Sequence, residues 1–158
     1  MRGGESAGAH LAVVTLLRLR DTGHAGAFCG TSLIFGVYDL TLTPSARRAE
    51  ETLVTNRRRI EAAVTAFLAT DADRRHPDIS PLYADLTSLP PALFTVGTLD
   101  PLLDDSLFLW ARWIAAGNAG QLAVYPGGVH GFITFPGKLA ADANEKIDRF
   151  MAETAALA

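Results

Sequence analysis

Three short apolar runs, at 27–38, 92–99 and 122–125, alternate with longer stretches of helical periodicity. This alternation constrains the fold more than any other feature of the chain. Strands separated by helices do not pair as hairpins; they pair in parallel through crossovers, with helices stacked on the sheet. The first run carries Leu33, Ile34, Phe35 and Val37, with Asp39 just past its end. The expectation is a layered α/β fold: a mostly parallel sheet of about three to four strands with flanking helices. A length of 158 residues accommodates one such domain over 1–158 with a real core.

The helical stretches fill the gaps between these runs. At 6–20, Leu11, Val13, Val14, Leu16, Leu17 and Leu19 cover most of the circumference, which predicts burial on several sides. A second pattern spans 44–70, with Ile60, Val64, Phe67 and Leu68 on one stripe. Pro77, Pro81, Pro90 and Pro91 mark 71–91 as loop. A helix follows at 104–116, its first turn carrying Asp104 and Asp105. Leu139, Ala143, Ile147, Phe150 and Met151 share one face of a last helix.

Three loop segments hold residue types that do chemistry. Gly4-Glu5-Ser6-Ala7-Gly8 has the G-x-S-x-G form of a turn that lifts a nucleophilic serine, although Ser6 could equally cap a helix. Gly97-Thr98-Leu99-Asp100-Pro101-Leu102 places Asp100 past a strand, either as a carboxylate that orients a histidine or as a helix cap with Pro101 as first helical residue. Gly127-Gly128-Val129-His130-Gly131-Phe132 leaves His130 among glycines with no packing role. The order Ser, Asp, His, each at the carboxyl end of a predicted strand, is that of the α/β hydrolases.

These segments, together with Ser80-Pro81-Leu82-Tyr83 and Leu89-Pro90-Pro91-Ala92, resemble the hormone-sensitive-lipase-like esterases of the α/β hydrolase fold, over essentially the whole chain. The resemblance implies hydrolysis of small acyl esters without a cofactor or metal. Ser6 would be the nucleophile, His130 the general base and Asp100 its orienting acid. The N–H of Ala7, at the helix N-terminus, would be one oxyanion donor.

The family carries its other donors on an upstream His-Gly-Gly-Gly loop, and this sequence contains none. Also missing are the strands before the elbow and the N-terminal part of the cap. Only Met1, Arg2 and Gly3 stand where a central strand is due. The expectation is therefore the C-terminal portion of an esterase, a partial α/β-hydrolase fold, impaired or inactive alone. The flank of the 27–38 strand would be open, and a homo-oligomer would cover it. Two rival readings stay open: a non-catalytic remnant or interaction module that keeps these residues, and a serine peptidase of the same fold.

A net charge of −3 gives no reason to expect nucleic acid or an anionic membrane as partner. The one basic run, Arg57-Arg58-Arg59, adjoins Glu50, Glu51 and Glu61 and is expected on a solvated helix face. With Cys29 alone, no intrachain disulfide forms, and a buried structural thiol is the expectation. No apolar run approaches the roughly 20 residues of a membrane span and no secretory leader is recognisable, so a cytoplasmic location is the default expectation. His10 is expected to pack or face solvent, and His24 and His76 to lie in loops; the four histidines show no metal-binding spacing. Trp110 and Trp113 are expected in the core. Asp104 and Asp105 rival Asp100 as the orienting acid, but their place at a helix start explains them.

Overall fold

The computed structural model describes residues 2–24, 26 and 28–156. Its sheet has four parallel strands side by side in chain order: β1 (Arg2–Glu5), β2 (Thr31–Ile34), β3 (Ala92–Gly97) and β4 (Gly120–Tyr125). Each connection is a crossover. α1 (Ala7–Asp21) joins β1 to β2, and α2 (Pro44–Arg48) and α3 (Arg57–Phe67) follow β2. α4 (Leu103–Ala115) joins β3 to β4, and α5 (Lys138–Ala156) closes the described chain. Buried along its whole length, β3 has the near-continuous apolar sequence of a strand covered on both faces.

One core lies between the sheet and the pair α1 and α4. Val13 and Leu16 of α1 meet Leu109 and Trp113 of α4 over Leu33 and Phe94. The Phe94 and Trp113 rings contact edge to face at 5.6 Å. A second layer forms where Phe150 of α5 packs on Leu93 and Ala123. Phe35, Val96, Phe132 and Ala143 form a further cluster at the carboxyl ends of β2 and β3. Trp113 is fully buried, while Trp110 is partly buried and donates to the Gly120 carbonyl.

Several expectations change. Arg2–Glu5 pairs in parallel with β2, from Arg2 opposite Thr31 to Glu5 opposite Ile34. The flank of β2 is therefore covered, and among the described residues the edges of the sheet are β1 and β4. Two glycines among four residues leave almost no strand signal, and β2 supplies the template. Gly4 has a separate role: a Cβ there would lie 2.4 Å from the carbonyl carbon of Gly8, so only glycine lets α1 fold back this tightly onto β1. Met1, and the start of the 27–38 run at Ala27, lie outside the described residues.

The predicted 44–70 helix is two helices. α2 stops at Arg48, and α3 restarts after Asn56, whose side chain accepts from the Arg59 N–H. Between them, Thr52, Val54 and Thr55 are β-branched and Asn56 is a strong cap, which together favour a break. α1 is less enclosed than its composition implies, since Leu11 is 55% exposed. α4 starts at Leu103 rather than using Asp100 as its cap. Among the described residues, no helix is long and apolar enough to cross a membrane.

The Ser80-Pro81-Leu82-Tyr83 segment is held by its backbone carbonyls. Arg112 of α4 donates to the Leu82 and Ala84 carbonyls, and Arg20 of α1 to those of Asp85 and Thr87. The buried Ser80 hydroxyl accepts from the Leu40 N–H and donates to the Arg74 carbonyl. This otherwise irregular loop is thereby fixed against the helices that frame the site.

Candidate active site

Ser6 sits between β1 and α1 with φ 52° and ψ −121°, a conformation costly for a residue with a side chain. Its N–H donates to the Ile34 carbonyl at 2.9 Å, which hooks the turn onto the end of β2. The strain holds the hydroxyl above the carboxyl ends of the strands. Ala7 opens α1, so its N–H belongs to the first turn, where no intrahelical acceptor exists.

Asp100 and His130 come from two loops that are tied together. The Thr98 N–H donates to the Tyr125 carbonyl, the Leu99 N–H to that of Gly128, and the Gly127 N–H to Thr98 Oγ1. The backbones approach so closely that a Cβ on Gly97 would lie 2.1 Å from the Gly128 oxygen.

The result brings three side chains named from the sequence into one row. Ser6 Oγ lies 3.0 Å from His130 Nε2, and His130 Nδ1 lies 3.1 and 3.0 Å from the two carboxylate oxygens of Asp100. Asp100 is a bare acceptor, so Nδ1 carries the proton it donates. That leaves Nε2 with the lone pair that accepts the Ser6 hydroxyl. The Asp100 side chain is fully buried, and its Oδ1 also accepts from the Leu102 N–H at 2.8 Å. Phe35 meets the His130 ring edge to face at 4.9 Å and limits its rotation.

A cavity of about 270 Å³ opens beside Ser6 between α1 and α3. Leu11, Leu40, Ile60, Val64 and Phe67 supply most of its wall. His10, one turn after Ser6, also lines it and is otherwise buried. Its Nε2 donates to the Ile79 carbonyl at 2.8 Å. Burial lowers the His10 pKa, against the upward pull of that hydrogen bond, so the ring is held neutral.

A family model described as alpha/beta hydrolase fold matches residues 2–134. The chain belongs to the α/β hydrolase fold family. Among solved structures, a crystal structure of EstE5 soaked with p-nitrophenyl butyrate is 30% identical, with a TM-score of 0.85 over 98% of this chain and 52% of that one. A hormone-sensitive lipase from a metagenome library is 28% identical, with a TM-score of 0.82 over 96% of this chain and 52% of that one. A hyperthermophilic esterase from the archaeon Pyrobaculum calidifontis, 24% identical, shares the fold with a TM-score of 0.84 over 98% of this chain and 52% of that one. This α/β hydrolase chain thus spans about half the length of these structures, and its neighbours are hormone-sensitive-lipase-like esterases.

Two further carboxylates of this α/β hydrolase do more than start a helix. Asp104 accepts from the Ser45 N–H, while the Ser45 hydroxyl donates to the Pro101 carbonyl. Asp105 is completely buried and accepts from the N–H groups of Tyr38 and Asp39 and from the Thr43 hydroxyl. It pins the segment after β2 to α4. Burial pushes its carboxyl up to about 7, reinforced by the nearby Asp39 charge and opposed by the three donated hydrogen bonds. No periodicity marks Asp105 as different from Asp104; only the fold around it does.

A raised folded-state pKa means that the folded chain binds more protons than the unfolded one between about pH 4 and 7. Stability from this group is then fully present near pH 4, falls as pH rises toward 7, and levels off above. The Asp105→Asn chain is expected to lose this slope. Urea unfolding of both chains from pH 5 to 8 checks it: their stability difference should shift by on the order of 1–3 kcal/mol in favour of the variant as pH rises. A constant difference would show that Asp105 does not titrate in the folded chain across this range.

Proposed function

We propose that this chain carries the reacting groups of a carboxylester hydrolase. One observation supports this above the rest: the unbroken row from Ser6 Oγ through His130 to the buried Asp100. His130 Nε2 removes the Ser6 proton as the oxygen attacks the ester carbonyl, and Asp100 stabilises the imidazolium. The alcohol departs with that proton, leaving Ser6 acylated. Water, deprotonated by His130, then attacks the acyl carbon; the bond to Ser6 Oγ breaks as His130 returns the proton to it, and the carboxylic acid leaves.

The oxyanion of each step points toward the Ala7 N–H and the positive end of α1. Removing one oxyanion donor typically costs about 10²–10³ in rate, so a site that relies on the Ala7 N–H is expected to turn over slowly. The apolar wall beside Ser6 favours an acyl or alkyl chain over a peptide, and the structural neighbours are themselves named esterases or lipases. A second reading is a chain that retains the residues without useful turnover; it is supported by the Ala7 N–H being the one donor assigned among the described residues. The unpaired edge of β1 also supports self-association of the chain alone.

Hydrolysis of p-nitrophenyl butyrate, combined with mass spectrometry after fluorophosphonate treatment, tests the proposal. The expected result is slow turnover and one adduct on the Ser6 peptide, both lost in Ser6→Ala. A chain whose Ser6 stays unlabelled, or whose turnover survives Ser6→Ala, is not this enzyme.

A further inference from the structure

The basic run at 57–59 is exposed at the start of α3, as expected, but its members differ in what they meet. Arg57 pairs with Glu61 at 2.9 Å, whereas Arg59 lines the cavity beside Ser6. Arg59 Nη1 donates to the Val54 carbonyl, which leaves the rest of the guanidinium free to donate. Among the described residues, Arg59 has no carboxylate partner within ion-pair distance. The chain has 17 acidic and 14 basic residues, yet no acid lines this cavity and Arg59 is its only charged side chain.

The cavity thus joins a nucleophile, an apolar wall and one unpaired cation. Along α3, Phe67 rests against the His10 ring, and Arg59 stands eight residues earlier, about 12 Å along the axis. The cation is therefore set apart from the His10 end, with Ile60, Ala63 and Val64 between. A neutral chain gains only from the apolar stretch. A chain that ends in a carboxylate also gains the guanidinium, whose fork matches its two oxygens.

We propose that this cavity selects esters with a terminal carboxylate, such as half-esters of short dicarboxylic acids, and that Arg59 binds that carboxylate. The proposal deepens the esterase reading and rests on it for the ester group of the ligand. Arg59 is a specificity residue in this account and takes no part in bond making.

The test is an NMR titration of the Ser6→Ala chain, which cannot turn over, with monomethyl glutarate and with methyl pentanoate. At low salt the half-ester is expected to bind about three- to fivefold tighter, as fits a partly exposed ion pair. Added salt should shrink the preference. Arg59→Gln should abolish it, read as the ratio of the two affinities falling to about one, and Arg59→Lys should retain part of it. Arg59 is exposed, so both variants are expected to fold. Equal affinities in the parent, or a preference that survives Arg59→Gln, would overturn the proposal. Binding is read without Ser6, so an inert Ser6 would defeat the hydrolase reading and leave this result standing.

Discussion

A His130→Gln chain is expected to react with a fluorophosphonate at Ser6 about 10²–10⁴-fold more slowly than the parent while keeping its fold. Glutamine is the informative replacement. Its amide N–H can still donate to Asp100, so the buried carboxylate is not left alone, which would itself be destabilising. It cannot take a proton from Ser6 at neutral pH. Pseudo-first-order labelling rates, with circular dichroism as a fold control, measure the effect. A rate within a few-fold of the parent would mean that Ser6 is reactive without a base, or not reactive through this site at all.

The second large effect is structural. Gly97→Ala is expected to destabilise the chain by about 3 kcal/mol or more and to lower the melting midpoint by about 10 °C. The added methyl would meet the Gly128 oxygen at 2.1 Å, the Gly128 carbonyl carbon at 2.3 Å and its Cα at 2.7 Å. All three are backbone atoms, so no rotamer change relieves the clash. The loops carrying Asp100 and His130 must separate, and the bonds from Thr98 and Leu99 across to Tyr125 and Gly128 go with them. Labelling of Ser6 should therefore fall together with stability. Gly8→Ala is the control, because a Cβ there meets nothing within 4 Å among the described residues. Thermal melts of the two variants separate a tight backbone crossing from a general intolerance of alanine in place of glycine.

What the sequence made legible was mostly what one local pattern dictates. β3 is apolar from end to end and has few alternatives to a buried strand. α4 runs over 103–115 against an expected 104–116, and α5 spans the five residues expected on the face of a last helix. The motifs around Ser6, Asp100 and His130 were enough to expect the three at one rim of a parallel sheet, where the structure brings them together.

What stayed hidden depends on contacts distant in sequence. β1 is four residues with two glycines, and only pairing with β2 makes it a strand. Asp105 looks like its neighbour Asp104 until the segment after β2 wraps over it. Arg59 looks like Arg57 and Arg58 until α3 is turned toward Ser6. The expected 44–70 helix runs through Asn56, although its apolar stripe from Ile60 to Leu68 lies wholly after it; the cap at Asn56 sets the start of α3.

The most direct measurement is the Ser6 phosphonylation rate in a double-mutant cycle of Asp100→Asn and His130→Gln. If the three side chains act as one unit, Asp100→Asn alone slows the reaction strongly, yet adds almost nothing once His130 is already gone. Should Asp100→Asn cost the same factor in both backgrounds, the carboxylate would be acting without the imidazole, and the account built on their contact would be wrong.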